Sequence, residues 1–140
     1  MQHVFTYGSL MFPEVWEKVI TGTYESTKGT LYGYRRRSLN GESYPVVFEG
    51  TPTERVAGLV YLNVSDEDIA RLDIFEGVYY ERNSVEIALH DGKKITAQVY
   101  VLKTDFYEKV DDRPWDVEQF KLVGLARFLD SYQGFEHVSS

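Results

Sequence analysis

The sequence predicts an α+β fold: a single domain in which several strands curl around a core and helices pack outside. Three observations carry this. Val85, Ile87 and Leu89 alternate with polar residues, reverse at His90-Asp91-Gly92, and return through Ile95, Ala97, Val99 and Val101, the two-residue period of a hairpin. Phe12, Val15, Trp16, Val19 and Ile20 recur at helical spacing directly after a short apolar strand. A chain of 140 residues that is 43% hydrophobic and 15% aromatic is long enough to build a single core without metal or disulfide support.

Residues 4–7 form the first strand. The helix that follows has Pro13 in its first turn, where no N–H is needed, and Gly22 just past its end. Residues 30–38 and 44–49 are expected as strands on either side of an Asn40-Gly41 turn, with Pro45 at an edge or at the first position of its strand. Residues 56–64 give another strand, with Gly58 inside it. Ser65 is the N-cap of a second helix whose first turn, Asp66-Glu67-Asp68, is acidic. Ile69, Leu72 and Phe75 give that helix its buried face, and Gly77 marks its end. After the hairpin, residues 104–113 read as a charged connection. Pro114 and Trp115 open a last helix expected to bury Val117, Phe120, Val123, Leu125, Phe128 and Leu129, and residues 135–140 are expected to be loose. The first strand should lie centrally, and the hairpin around Asp91-Gly92 should project.

Composition narrows the function. Cysteine is absent, which removes disulfides, thiolate catalysis and cysteine metal sites. The net charge of −7 argues against a nucleic-acid partner, and Arg35-Arg36-Arg37 in a strand would point to alternate faces rather than form one patch. With no apolar run long enough for a membrane span and no leader-like start, the expectation is a soluble cytoplasmic protein without a membrane partner. The three histidines, His3, His90 and His137, are too scattered to hold a metal, and Asp111-Asp112 reads as a solvated loop. Ser9 lacks the G-x-S-x-G elbow of a serine nucleophile, and no G-x-G-x-x-G follows the first strand. No cofactor is expected, and nothing in the sequence sets an oligomeric state.

Two stretches stand out. Tyr7-Gly8-Ser9-Leu10 lies at the seam between first strand and first helix. Such a seam is either an ordinary turn or a place where backbone N–H groups gather around an anion. In Leu72-Asp73-Ile74-Phe75-Glu76, two carboxylates sit at the negative end of a helix, where acidic side chains are unfavourable. Glu76 also has Phe75, Val78, Tyr79 and Tyr80 around it. It is either an exposed residue at a frayed end, paired with Arg82, or a carboxyl whose raised pKa suits proton transfer near neutral pH.

Tyr7-Gly8-Ser9-Leu10, Tyr44-Pro45, Leu72-Asp73-x-Phe75-Glu76 and Tyr80-x-Arg82 resemble, in order and spacing, the γ-glutamylcyclotransferase-like family, across residues 5–101. The branch resembled is that of the avirulence-induced plant proteins and γ-glutamylamine cyclotransferase. The resemblance implies a small mixed β-barrel with flanking helices. It also implies Glu76 as the general acid/base and the turn of Tyr7, Gly8, Ser9 and Leu10 as the substrate-holding segment. Tyr80, Arg82 and Tyr100 join as substrate-binding candidates; Tyr7, Tyr80 and Tyr100 read equally as pocket walls or as plain core. The implied partner is a small γ-glutamyl compound, cyclised to 5-oxoproline with release of an amine. Branches acting on γ-glutamyl dipeptides and glutathione carry Tyr-Gly-Ser-x-Leu in this turn. The shorter form here points away from those substrates. A non-catalytic binding module that keeps fold and pocket is the alternative.

Overall fold

Strand β1 (Gln2–Thr6) runs between two partners, antiparallel to β5 (Arg55–Val64) and parallel to β7 (Lys94–Leu102). With β2 (Ser26–Tyr32) and β6 (Tyr80–Leu89), these strands close into a barrel in the order β1-β5-β2-β6-β7. The computed structural model describes residues 1–40, 42, 44–111 and 113–131. Gly41 of the expected Asn40-Gly41 turn, Asp112, His137 and the 135–140 segment lie outside the described residues.

The first strand is central, as its apolar character predicts, because a closed barrel gives it neighbours on both sides. The expectation of a single core is corrected. Buried residues form two clusters, one on each side of the barrel wall. Phe5, Leu31, Val56, Val60, Ile87, Ala97 and Val99 fill the interior from all five staves. On the outer face Val4, Tyr61, Tyr100 and Leu102 pack against the helices. Side chains alternate across a strand, so β1 serves both clusters through the adjacent residues Val4 and Phe5.

Outside the barrel, α1 (Pro13–Val19) docks by stacking Trp16 on Tyr61 with ring centroids 3.6 Å apart. Helix α2 (Asp66–Glu76) starts at Ser65, whose hydroxyl accepts the Asp68 N–H, and stops at Gly77 with φ +79°. Strands β3 (Tyr34–Leu39), β4 (Pro45–Glu49) and β8 (Val110–Asp111) make a separate sheet in the order β4-β3-β8. Pro45 opens β4, an edge strand, where its missing N–H costs no ladder bond.

Four further expectations need correction. Residues 30–38 are not one strand: Gly33, at φ +83°, breaks the run, and β2 and β3 enter different sheets. The hairpin does not project, because β6 and β7 are barrel staves and Leu89, near its tip, still pairs with Gly29. The 104–113 connection contains a 3-10 turn (Thr104–Lys109) and strand β8. In the last helix, α3 (Val117–Gln119) and α4 (Leu125–Ser131) are joined by a π-helical turn (Phe120–Gly124). The wider turn shifts the phase, so Val123 is 63% exposed while Phe120 and Phe128 are buried; Val117, Leu125 and Leu129 are only partly buried.

Candidate functional site

Helix α2 carries Glu76 as its last residue, and its position is set at the opposite end. Asp68, only 1% exposed, accepts hydrogen bonds from the Thr21 N–H (3.0 Å), the Thr21 hydroxyl (2.8 Å), the Gly22 N–H (3.0 Å) and the Tyr24 hydroxyl (2.6 Å). Burial alone would raise its pKa, but these donors outweigh burial and hold the carboxyl below its usual value. Asp68 is therefore more than first-turn charge. It ties α2 to the loop after α1, and Arg71 adds a bond from Nε to the Val19 carbonyl at 2.6 Å. Leu72 and Phe75 then bury the rest of the inner face.

The chain leaves the barrel wall at Thr6 and turns at once. The Met11 N–H donates to the Gly8 carbonyl at 3.0 Å and the Phe12 N–H to the Ser9 carbonyl at 3.1 Å, closing a 3-10 turn (Ser9–Met11). Gly8 is required by close packing, since a Cβ there would lie 2.7 Å from Pro45 Cγ and 2.8 Å from Pro45 Cδ. Pro45 is held in turn by the Tyr80 hydroxyl, which donates to its carbonyl at 2.8 Å.

Tyr7, Gly8, Ser9, Leu10 and Glu76 line one cavity of about 30 Å³, together with Thr6, Tyr44, Pro45, Phe75, Tyr80, Tyr100 and Phe128. Glu76 thus meets the turn after β1 although the two are far apart in sequence. Burial among these rings, with the Asp73 charge adding, pushes the Glu76 carboxyl up to about 8. A group poised there can both take and return a proton near neutral pH. Outside the cavity lies a cleft of about 310 Å³ lined by Asp73, Glu76, Tyr80, Arg82 and Tyr100. Glu76, Tyr80 and Tyr100 are common walls of both spaces.

Arg82 stands in this outer cleft. It donates to Asp73 from Nε at 2.9 Å and Nη2 at 3.4 Å, and to Gln98 Oε1 at 3.0 Å. The Tyr100 hydroxyl also donates to Asp73, at 2.7 Å; burial first, and this bond second, push its pKa up, so it stays a neutral donor. Tyr7 donates its hydroxyl to the Tyr100 carbonyl. The three tyrosines are therefore at once cavity walls and braces, each phenol spent on the protein.

The sequence marks Asp73 as ill-placed but gives it no role in the site; in the structure it organises Arg82 and Tyr100 and adds to the field on Glu76. The signal was present as a second carboxylate at the wrong end of a helix. The sequence expects Phe128 in the core but not at the cavity, because no local pattern says which helix will cover a turn more than a hundred residues earlier. His3, by contrast, accepts the Asn63 N–H on Nδ1 at 3.1 Å and is occupied within the sheet. Among the described residues no group of three metal-ligating side chains forms. No helix there is long and apolar enough to cross a membrane.

Residues 4–119 match the family described as gamma-glutamyl cyclotransferase, AIG2-like. The chain belongs to that family. Protein AIG2 C of Arabidopsis thaliana is 31% identical over 135 residues, covering 94% of this chain and 79% of the relative. AIG2-like protein D of the same plant is 32% identical over 139 residues, covering 96% and 89%. A solution structure of an Arabidopsis thaliana protein superposes with a TM-score of 0.69 at 28% identity, covering 94% of this chain and 79% of that one. A structure described as gamma-glutamyl cyclotransferase superposes with a TM-score of 0.63 at 20% identity, over 73% and 66% of the two chains, a likeness of fold. The barrel with flanking helices is thus the architecture of the gamma-glutamyl cyclotransferase, AIG2-like family.

Proposed function

We propose that this chain is a cytoplasmic enzyme that cyclises a γ-glutamyl group to 5-oxoproline and releases an amine, with Glu76 as its general acid/base. The observation that carries the reading is the Glu76 carboxyl, pushed up to about 8, on the cavity formed by the turn of residues 7–10. The substrate's α-amine attacks its own γ-carbonyl and closes a five-membered lactam through a tetrahedral intermediate. Nucleophile and electrophile share one molecule, so the protein has to hold the reactive conformer and move protons. Glu76 accepts the proton that the attacking nitrogen sheds. It then gives that proton to the departing nitrogen as the C–N bond breaks, which avoids expelling an amide anion. N–H groups of Gly8, Ser9 and Leu10 hold the developing oxyanion or the α-carboxylate. The inner cavity takes the reacting atoms, and the outer cleft, through the shared walls Glu76, Tyr80 and Tyr100, takes the remainder.

The test is direct. The protein is incubated with γ-glutamylamines, γ-glutamyl amino acids and glutathione, and 5-oxoproline is measured. Product is expected from γ-glutamylamines. Binding of these compounds without any 5-oxoproline would assign the chain to the non-catalytic alternative.

A further inference from the structure

The Arg35-Arg36-Arg37 run divides in the structure. Arg35 and Arg37 both turn to Glu54, at 2.6 Å and 3.9 Å, as residues two apart on a strand must share a face. Arg36 goes the other way. Its Nη1 donates to the Tyr7 carbonyl at 2.8 Å, and its guanidinium lies 5.3 Å from the centre of the Trp115 ring. It is partly buried and is not a wall of the cavity that Tyr7 and Gly8 line. It therefore grips the turn at the Tyr7 carbonyl without itself lining the cavity.

We propose that Arg36 is a positioning residue that orients and polarises the Tyr7–Gly8 peptide, aiming the Gly8 N–H into the cavity as an oxyanion donor. A trans peptide is planar, with C=O and N–H pointing in opposite directions, and no cis bond occurs among the described residues. Holding the Tyr7 oxygen at Arg36 therefore fixes the direction of the Gly8 N–H, opposite to it. A charged donor on a carbonyl draws electron density toward the oxygen and makes the N–H of that peptide a stronger donor. Arginine suits the place because it stays charged when partly buried and stacks on an aromatic face while it donates. Trp115, ahead of the last helix, supplies that face and so links the C-terminal segment to the turn after β1. The inference rests on the reading of Gly8 as a donor to the substrate.

The experiment compares wild type with Arg36→Met, which keeps length without charge, and Arg36→Lys, which keeps charge without the planar fork. Full loss of an oxyanion donor costs about 10²–10³ in kcat; here the donor survives but is less well aimed, so Arg36→Met should lose about tenfold. The loss should fall on kcat with KM little changed, Arg36→Lys should recover most of it, and the limb of the pH profile set by Glu76 should not move. Independently of turnover, the Gly8 amide resonance should shift upfield in Arg36→Met, and its response to titrated 5-oxoproline should weaken. If wild type makes no 5-oxoproline yet the Gly8 resonance behaves in this way, the proposed reaction falls and the role of Arg36 stands. An unchanged Gly8 resonance overturns the role of Arg36 whatever the activity, as does a folded Arg36→Met with wild-type kcat. If Arg36→Met does not fold, Arg36→Gln, which is polar but uncharged, decides by the same resonance: an upfield Gly8 amide supports the role and an unchanged one overturns it.

Discussion

Replacing Glu76 by Gln removes one ionisable group from the end of α2 and keeps its shape. In the native protein, burial and the Asp73 charge raise this carboxyl from 4.5 to about 8. A carboxyl whose folded pKa lies above its unfolded value binds protons better in the native state, so stability falls as pH rises across the gap. The cost is absent below about pH 4.5, grows through the window, and is complete above about pH 8. At 1.36 kcal/mol per pKa unit its ceiling is about 5 kcal/mol. Relaxation and the partial exposure of Glu76 reduce that to about 2–3 kcal/mol. Gln does not titrate, so Glu76→Gln should match wild type near pH 4 after a constant offset and gain on it steadily toward pH 9. Urea unfolding of both proteins across that range measures the difference. In the same variant, turnover should fall by about 10²–10⁴-fold, toward the upper end because one group serves both proton transfers. A stability difference that stays flat with pH would refute the assignment of a half-buried, raised carboxyl, and full turnover in the variant would refute the mechanism.

Wild-type kcat/KM should rise with pH and reach half its maximum near about 8, where Glu76 is half-ionised, with the plateau about one unit higher; a profile flat from pH 6 to 9 would count against that base. Gly8→Val should abolish binding of 5-oxoproline by calorimetry while the circular dichroism spectrum is kept, because its Cβ would meet Pro45 Cγ at 2.7 Å. Ser9→Ala should cost less than about tenfold, since backbone groups carry the contact; a covalent adduct on Ser9 in mass spectra would instead establish a serine nucleophile. Asp68→Ala strips four hydrogen bonds from a buried carboxylate and leaves their donors unmet, so it should cost about 3 kcal/mol in urea unfolding. A loss below about 1 kcal/mol would show that α2 does not depend on this anchor.

What the sequence determined by itself was local. The period of Phe12 to Ile20 made a helix, the alternation on either side of His90-Asp91-Gly92 made a hairpin, and Ser65 and Gly77 bounded α2. These follow from short-range sterics, from backbone bonds left open at helix ends, and from side-chain period, all of which act within a few residues. The misplacement of Asp73 and Glu76 was legible for the same reason, because a helix end has a sign that neighbouring charges either suit or oppose. The tertiary structure decided everything that depends on pairing across the chain. A positive φ at Gly33 sent β2 and β3 to different sheets, and barrel closure turned a hairpin expected to project into two staves. The π-helical turn rotated Val123 to solvent. The cavity is the extreme case. Glu76, the turn of residues 7–10, Pro45 and Phe128 meet because barrel closure and the Asp68 anchor bring their elements to one end of the wall. The apolar neighbours and Asp73 hint at a raised Glu76 carboxyl, but that convergence supplies the larger cause, desolvation, which depends on what surrounds a group in space.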